Sequence, residues 1–119
     1  MNMYRENILS HYKNPDNSGN LSSYDIKIHA HNPLCGDEIE IKIKLDNNKV
    51  KDVKFNAKGC AISLASADIL LEDIKDKSLN EIKKLNEKHL LKLLNVEITH
   101  ARMSCALLAL NALQKLKCA

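Results

Sequence analysis

The chain has no tryptophan and only four aromatic residues, three tyrosines and one phenylalanine. It also lacks a dense basic block: 18 Lys and Arg are interleaved with 15 Asp and Glu, as in KKLNEKHLLK, leaving a net charge of +3. With few rings to stack on bases and no basic stripe, nucleic-acid binding is not expected. Apolar runs are short, the cleanest being Ala106 to Leu110. A membrane span needs about 20 such residues, so no membrane association is expected either. The opening MNMYRENILSHYK is polar and amphipathic and lacks the apolar stretch of a secretory signal. A cytoplasmic location, where thiols stay reduced, is therefore the expectation.

Glycine and proline are scarce, three and two, and all five lie at or before Gly59. That asymmetry predicts a turn-rich strand region followed by a helical region. There is no repeat and no low-complexity linker, so residues 1–119 are read as one domain. A chain of this length buries roughly two-thirds of its unfolded surface and needs no disulfide to fold.

The periodicities fill in that outline. Residues 3–13 read as a short helix, with Tyr4, Ile8 and Tyr12 at helical spacing and Pro15 stopping it. NPDNSGN is loop. YDIKIHAH, EIEIKIKL and VKDVKFNA alternate apolar and polar side chains and predict three strands, the second and third joined by a turn at Asp46–Asn47–Asn48. One apolar and one charged face per strand predicts an antiparallel sheet covered on one side. AISLASADILLEDI is apolar over most of its circumference, with Asp68, Glu72 and Asp76 as a narrow wet stripe, and predicts a largely buried helix. Ser78 and Glu81 fit a capping box, Asn86 and Asn95 look like breaks, and a last helix is expected from about Ala101 to Lys117. The fold class is α+β, a three-stranded antiparallel sheet with helices packed on one face.

Four cysteines remain, and no two form C-x-x-C, which excludes a zinc ribbon and a thioredoxin motif. On spacing alone, unrelated buried thiols acting as small hydrophobes are an equal reading. Position argues further. Cys35 falls in the turn between the first two strands, and Cys60 follows Gly59 at the junction of the third strand and the buried helix. Cys105 is expected in the first turn or so of the last helix, capped by Thr99. Near a helix N-terminus, free N–H groups and the positive dipole end favour thiolate. Cys118 lies at the end of the chain, where no role is expected. Three thiolates and the carboxylate of Asp37 would make a four-coordinate site, and sulfur-rich tetrahedral sites hold Zn²⁺ or Fe–S clusters. Gly36 permits the sharp turn that aims Cys35 and Asp37 at one point. The harder, weaker oxygen ligand should make a metal easier to surrender.

HYKNPDNSG, NPLCGDEIEI, FNAKGCAISLASA and RMSCALLAL together resemble the IscU/SufU/NifU-type iron–sulfur cluster assembly proteins over nearly the whole chain. The resemblance implies a scaffold that takes sulfur from a cysteine desulfurase and builds a nascent Fe–S cluster, [2Fe–2S] by expectation, for apo-proteins. It implies Cys35, Asp37, Cys60 and Cys105 as ligands, Cys105 as sulfur acceptor and Asp37 as the source of cluster lability. Zn²⁺ in the same site, in a SufU-type sulfurtransferase that activates its desulfurase, is the alternative. The subfamily signals are mixed. Ser104 stands where IscU-type members carry a histidine, NVEITHAR replaces their L-P-P-V-K stretch, and Asp16 stands where Arg is usual. Arg102 is SufU-like, but the 44 residues between Cys60 and Cys105 are too few for the SufU insertion.

Arg102 and Lys58 are candidates to offset the negative charge of such a site, since burying it without a nearby cation is costly. His100, five residues before Cys105, is a weaker ligand candidate. His29 and His31 share a strand face and could chelate, although ordinary surface positions explain them as well. Tyr4 and Tyr12 are read as packing anchors on a helix that could dock on a desulfurase.

Overall fold

A computed structural model describes residues 3–32 and 36–116, with side chains from Ile8 onward. Cys35, Cys118 and the Tyr4 side chain therefore lie outside the described residues. The chain runs α1 (Met3–Lys13), β1 (Ile26–His31), β2 (Glu38–Asp46), β3 (Lys49–Lys58), α2 (Ala61–Asp73), α3 (Leu79–Lys83), α4 (Glu87–Leu94), α5 (His100–Ala106) and α6 (Leu108–Leu113). The strands form one antiparallel sheet in the order β1-β2-β3. Asn47 and Asn48 both take positive φ, 52° and 67°, which gives the two-residue hairpin its tight turn.

The alternation sets the layers. Ile28, Ala30, Ile39, Ile41, Ile43, Val53 and Phe55 face the helices and are buried, each large one contributing about 1.5–3 kcal/mol. α6 packs on β1 and β2, and α2 on β3. The free edge of β3 is covered by two loop segments. Phe55 donates its N–H to Asn17 O at 2.9 Å and accepts from Gly19 N at 3.0 Å, while Val50 pairs with Asp76 and Lys77 further along. An edge paired in this way cannot template another strand.

Side-chain chemistry places the helix ends. The Ser78–Glu81 capping box opens α3. Asn86 caps α4 by accepting from His89 N, and Asn95 ends it in the left-handed conformation.

Several expectations need correction. The last helix is broken at Leu107 into α5 and α6. Cys105 is thus the sixth residue of α5, near its C-terminal end, so helix-N-terminal acidification does not apply to it. Thr99 occupies the N-cap position but makes no side-chain cap bond. Asp68 is fully buried instead of lying on a wet stripe. It accepts from Asn17 N at 2.8 Å, Asn17 Nδ2 at 3.0 Å and His11 Nδ1 at 2.5 Å, tying α1 and its following loop to α2. Asp76 lies beyond α2, at φ 68°. Tyr12, read as an anchor, is 40% exposed; Ile8 is the residue of α1 that enters the core.

Candidate metal centre

Three elements end or begin at one place. Asp37 immediately precedes β2, Cys60 is the N-cap of α2, and Cys105 sits near the end of α5. The two sulfurs and a carboxylate oxygen of Asp37 all lie within 4.8 Å of one another. Both described cysteines are free thiols. Cys60 is half-buried, whereas Asp37 and Cys105 are buried.

Local conformation explains how the loop delivers Asp37. Gly36 has φ +76°, a conformation that costs glycine nothing and a side-chain-bearing residue a good deal. The loop is closed by Gly36 N to Asn32 O at 2.8 Å and Asn32 N to Asp37 O at 2.7 Å. Gly59 serves in a different way. A Cβ there would stand 2.9 Å from Asp37 Cγ and 3.0 Å from Ser63 Cβ, so only a bare backbone lets the carboxylate seat against α2.

Ser63 holds that carboxylate. Its hydroxyl donates to Asp37 Oδ2 at 2.5 Å and lies 3.6 Å from Cys60 Sγ. Nothing in the sequence alone marks Ser63 out for this role beyond its spacing of three from Cys60, since residues i and i+3 share a helix face.

The two thiols differ in acidity. Burial opposes ionisation of Cys60, yet the N–H and hydroxyl of Ser63, the Ile62 N–H and the Cys105 thiol outweigh it and lower its pKa. Cys105 is pushed up to about 11 by burial first and then by Cys60 beside it. Cys60 is the more acidic and the more exposed of the pair.

The donor chemistry fits a thiophilic ion, since two sulfurs and one carboxylate are gathered at one place. Cys35, two residues before Asp37, lies outside the described residues. Lys58 is 87% exposed in its side chain and turns to Glu38, 4.0 Å away, on the open face of the sheet. Arg102 is exposed on α5, one turn before Cys105. His100 is exposed at the start of α5 and is not one of the clustered residues. His29 and His31 are exposed on the open sheet face.

Residues 3–116 match the model of the NifU-like N-terminal domain. The chain belongs to that family. It is 46% identical over 77 residues to the zinc-dependent sulfurtransferase SufU of Bacillus subtilis, an alignment covering 65% of this chain and 52% of that protein, about half its length. It is 34% identical over 116 residues to the iron–sulfur cluster assembly enzyme IscU of Drosophila melanogaster, covering 94% of this chain and 74% of that one. Among solved structures it superposes with a TM-score of 0.77 on a proposed iron–sulfur cluster assembly scaffold protein for the SUF system from Fervidobacterium islandicum. The identity there is 27%, with 92% of each chain covered. Among the described residues no helix is long and apolar enough to cross a membrane.

Proposed function

We propose that this member of the NifU-like family is an iron–sulfur cluster assembly protein. It accepts sulfur from a cysteine desulfurase, assembles a nascent [2Fe–2S] cluster on Cys35, Asp37, Cys60 and Cys105, and passes it to apo-proteins as a carrier. The observation that carries this reading is the convergence of Asp37, Cys60 and Cys105 within 4.8 Å from three separate elements. The place of Cys35 in the set rests on the NPLCGD motif. Reduced thiols are required throughout, so the working compartment is reducing, the cytoplasm by expectation.

Sulfur enters by thiol exchange. A thiolate attacks the outer sulfur of a desulfurase persulfide, a new S–S bond forms, and the desulfurase cysteine leaves as thiolate. Cys105 is the acceptor that the family resemblance implies. In the metal-free protein its thiol is buried and held protonated, so Cys60 is the better first nucleophile until both thiols are held as thiolates. Turning persulfide sulfur into sulfide requires an external electron donor. Arg102, one turn before Cys105 on α5, is the candidate to offset the charge of the loaded site.

A second reading is favoured by the identity to the Bacillus SufU protein, by Arg102 and by Ser104 in place of histidine. Here Asp37 and the thiols would hold Zn²⁺, which supplies thiolate character at neutral pH. One thiol would relay sulfur, and no cluster would be built. Anaerobic incubation with desulfurase, cysteine and Fe²⁺ separates the two. A brown chromophore with bound iron supports the scaffold. Retained zinc with faster desulfurase turnover and no chromophore overturns it in favour of the relay.

A further inference from the structure

The open face of the sheet carries histidine and carboxylate side chains that the thiol site does not use. His29 and His31, two apart on β1, point to the same face. Their ring centroids are 6.4 Å apart with planes tilted by 35°. Strand register places Glu38 directly opposite His31 and Glu40 opposite His29. His29 Nε2 reaches to 3.9 Å from Glu38 Oε2 across the diagonal. The same face opens into a cavity of about 320 Å³ whose lining includes His29, Glu38, Glu40, Asn56 and Lys58.

We propose that His29, His31 and Glu38 form a divalent transition-metal site on the open face of the sheet, separate from the thiol centre. Two imidazoles and one carboxylate with open positions suit Fe²⁺, and imidazole equally suits Zn²⁺ and Co²⁺. The ions of alkaline-earth type prefer all-oxygen sites. The rings must close by rotation to bring both nitrogens to about 2.0–2.1 Å from one ion. Both histidines are exposed, so no core packing resists that rotation.

The neighbouring cations show which carboxylate is the ligand. Glu40 is approached by both Lys27, at 3.6 Å, and Lys42, at 3.8 Å. Glu38 has one lysine, Lys58, at the long distance of 4.0 Å and 87% exposed, a surface pairing that a dication displaces readily. The cavity borders His29 and Glu38 but not His31, so it leaves room for the waters of a hydrated ion on the His29 and Glu38 side. Glu38 follows Asp37 in the chain, so an ion held here sits close to the thiol centre but on the side of the sheet away from the helices.

The proposal does not depend on whether the thiol centre builds clusters or holds zinc, and its test is chosen accordingly. The full chain is first given one equivalent of Zn²⁺ to fill the thiols, then titrated with Co²⁺ while the imidazole ¹H–¹⁵N signals are followed. Paramagnetic shifts centred on His29 and His31, saturating at one further equivalent, are expected. Fe²⁺ without oxygen, or further Zn²⁺, should compete for the site, and Mg²⁺ should not. H29A and H31A should each weaken Co²⁺ binding by about tenfold or more, at least the low end of what loss of a supporting group costs a metal site. H100A should leave it unchanged. No second equivalent bound, perturbation centred on His11, His89 or His100, equal competition by Mg²⁺, or undiminished binding by H31A would each overturn the proposal.

Discussion

The Ser63 hydroxyl bonds Oδ2 of Asp37 at 2.5 Å while standing 3.6 Å from Cys60 Sγ, so one side chain touches two of the three clustered donors. Such a group orients a ligand without being one. Ser63→Ala is expected to weaken zinc affinity by about 10–100-fold, the range for losing a partner that supports a metal ligand. A chelator competition titration measures it. Unchanged affinity with only a lowered melting temperature would reduce Ser63 to a packing residue.

Gly59 is a steric counterpart to Ser63. Gly59→Ala would drive a methyl to 2.9 Å from Asp37 Cγ and 3.0 Å from Oδ2, and the carboxylate must move. The expected result is a destabilisation of about 1–3 kcal/mol, as for overpacking elsewhere, together with loss of zinc affinity. Thermal melts and the same competition assay on one preparation separate the two effects. Native affinity would show that the loop yields at no cost to the site.

The thiols should react in a fixed order. In the metal-free protein, alkylation followed by mass spectrometry should label Cys60 at a lower pH than Cys105, whose pKa stands at about 11. The linkage has opposite signs for the two. Cys105, raised above its unfolded value, contributes stability that is present at neutral pH and lost as pH rises towards about 11. Cys60, lowered, contributes stability present above the ordinary thiol pKa and lost as pH falls through its folded value. Labelling of Cys105 first would contradict the assigned acidities.

Asp37 bears on release. If its oxygen makes the cluster labile, Asp37→Ala should hold an assembled cluster longer and slow its transfer to an apo-ferredoxin. Transfer at the rate of the unmodified protein would remove Asp37 from that role.

Asp68 is a structural anchor reached only through the fold. Asp68→Ala leaves the buried Asn17 N–H without its acceptor, a cost of about 1–3 kcal/mol, while the Asn17 amide keeps the Asp68 carbonyl and Glu72 as partners. Denaturant midpoints should fall accordingly, and backbone amides of α1 should exchange faster. His11→Ala should cost less, because Asn17 still bonds Asp68.

Much of the fold was legible because the signals are local. Alternation in EIEIKIKL, the Asn47–Asn48 turn, the Ser78–Glu81 box and the breaks at Asn86 and Asn95 each act within a few residues, and each appears where the pattern puts it. The break at Leu107 was not legible, since no glycine or proline marks it. Tyr12 was misplaced because aromatic residues at helical spacing do not reveal which face meets the core. Asp37 and Cys60 stood out through their turn motifs. Ser63 did not, because a serine near a helix start has many ordinary uses.

The sequence by itself determined the strands, the turn glycine before Asp37 and the family motifs that mark the thiols, since backbone preference and side-chain period are properties of neighbours in the chain. Tertiary structure alone decided that Asp68 would be buried against His11, 57 residues away, and that Ser63 would hold Asp37, 26 residues away. It also decided that Cys105 would be the reluctant thiol. Desolvation and hydrogen bonding depend on which distant groups come to share a space, and no local pattern encodes that.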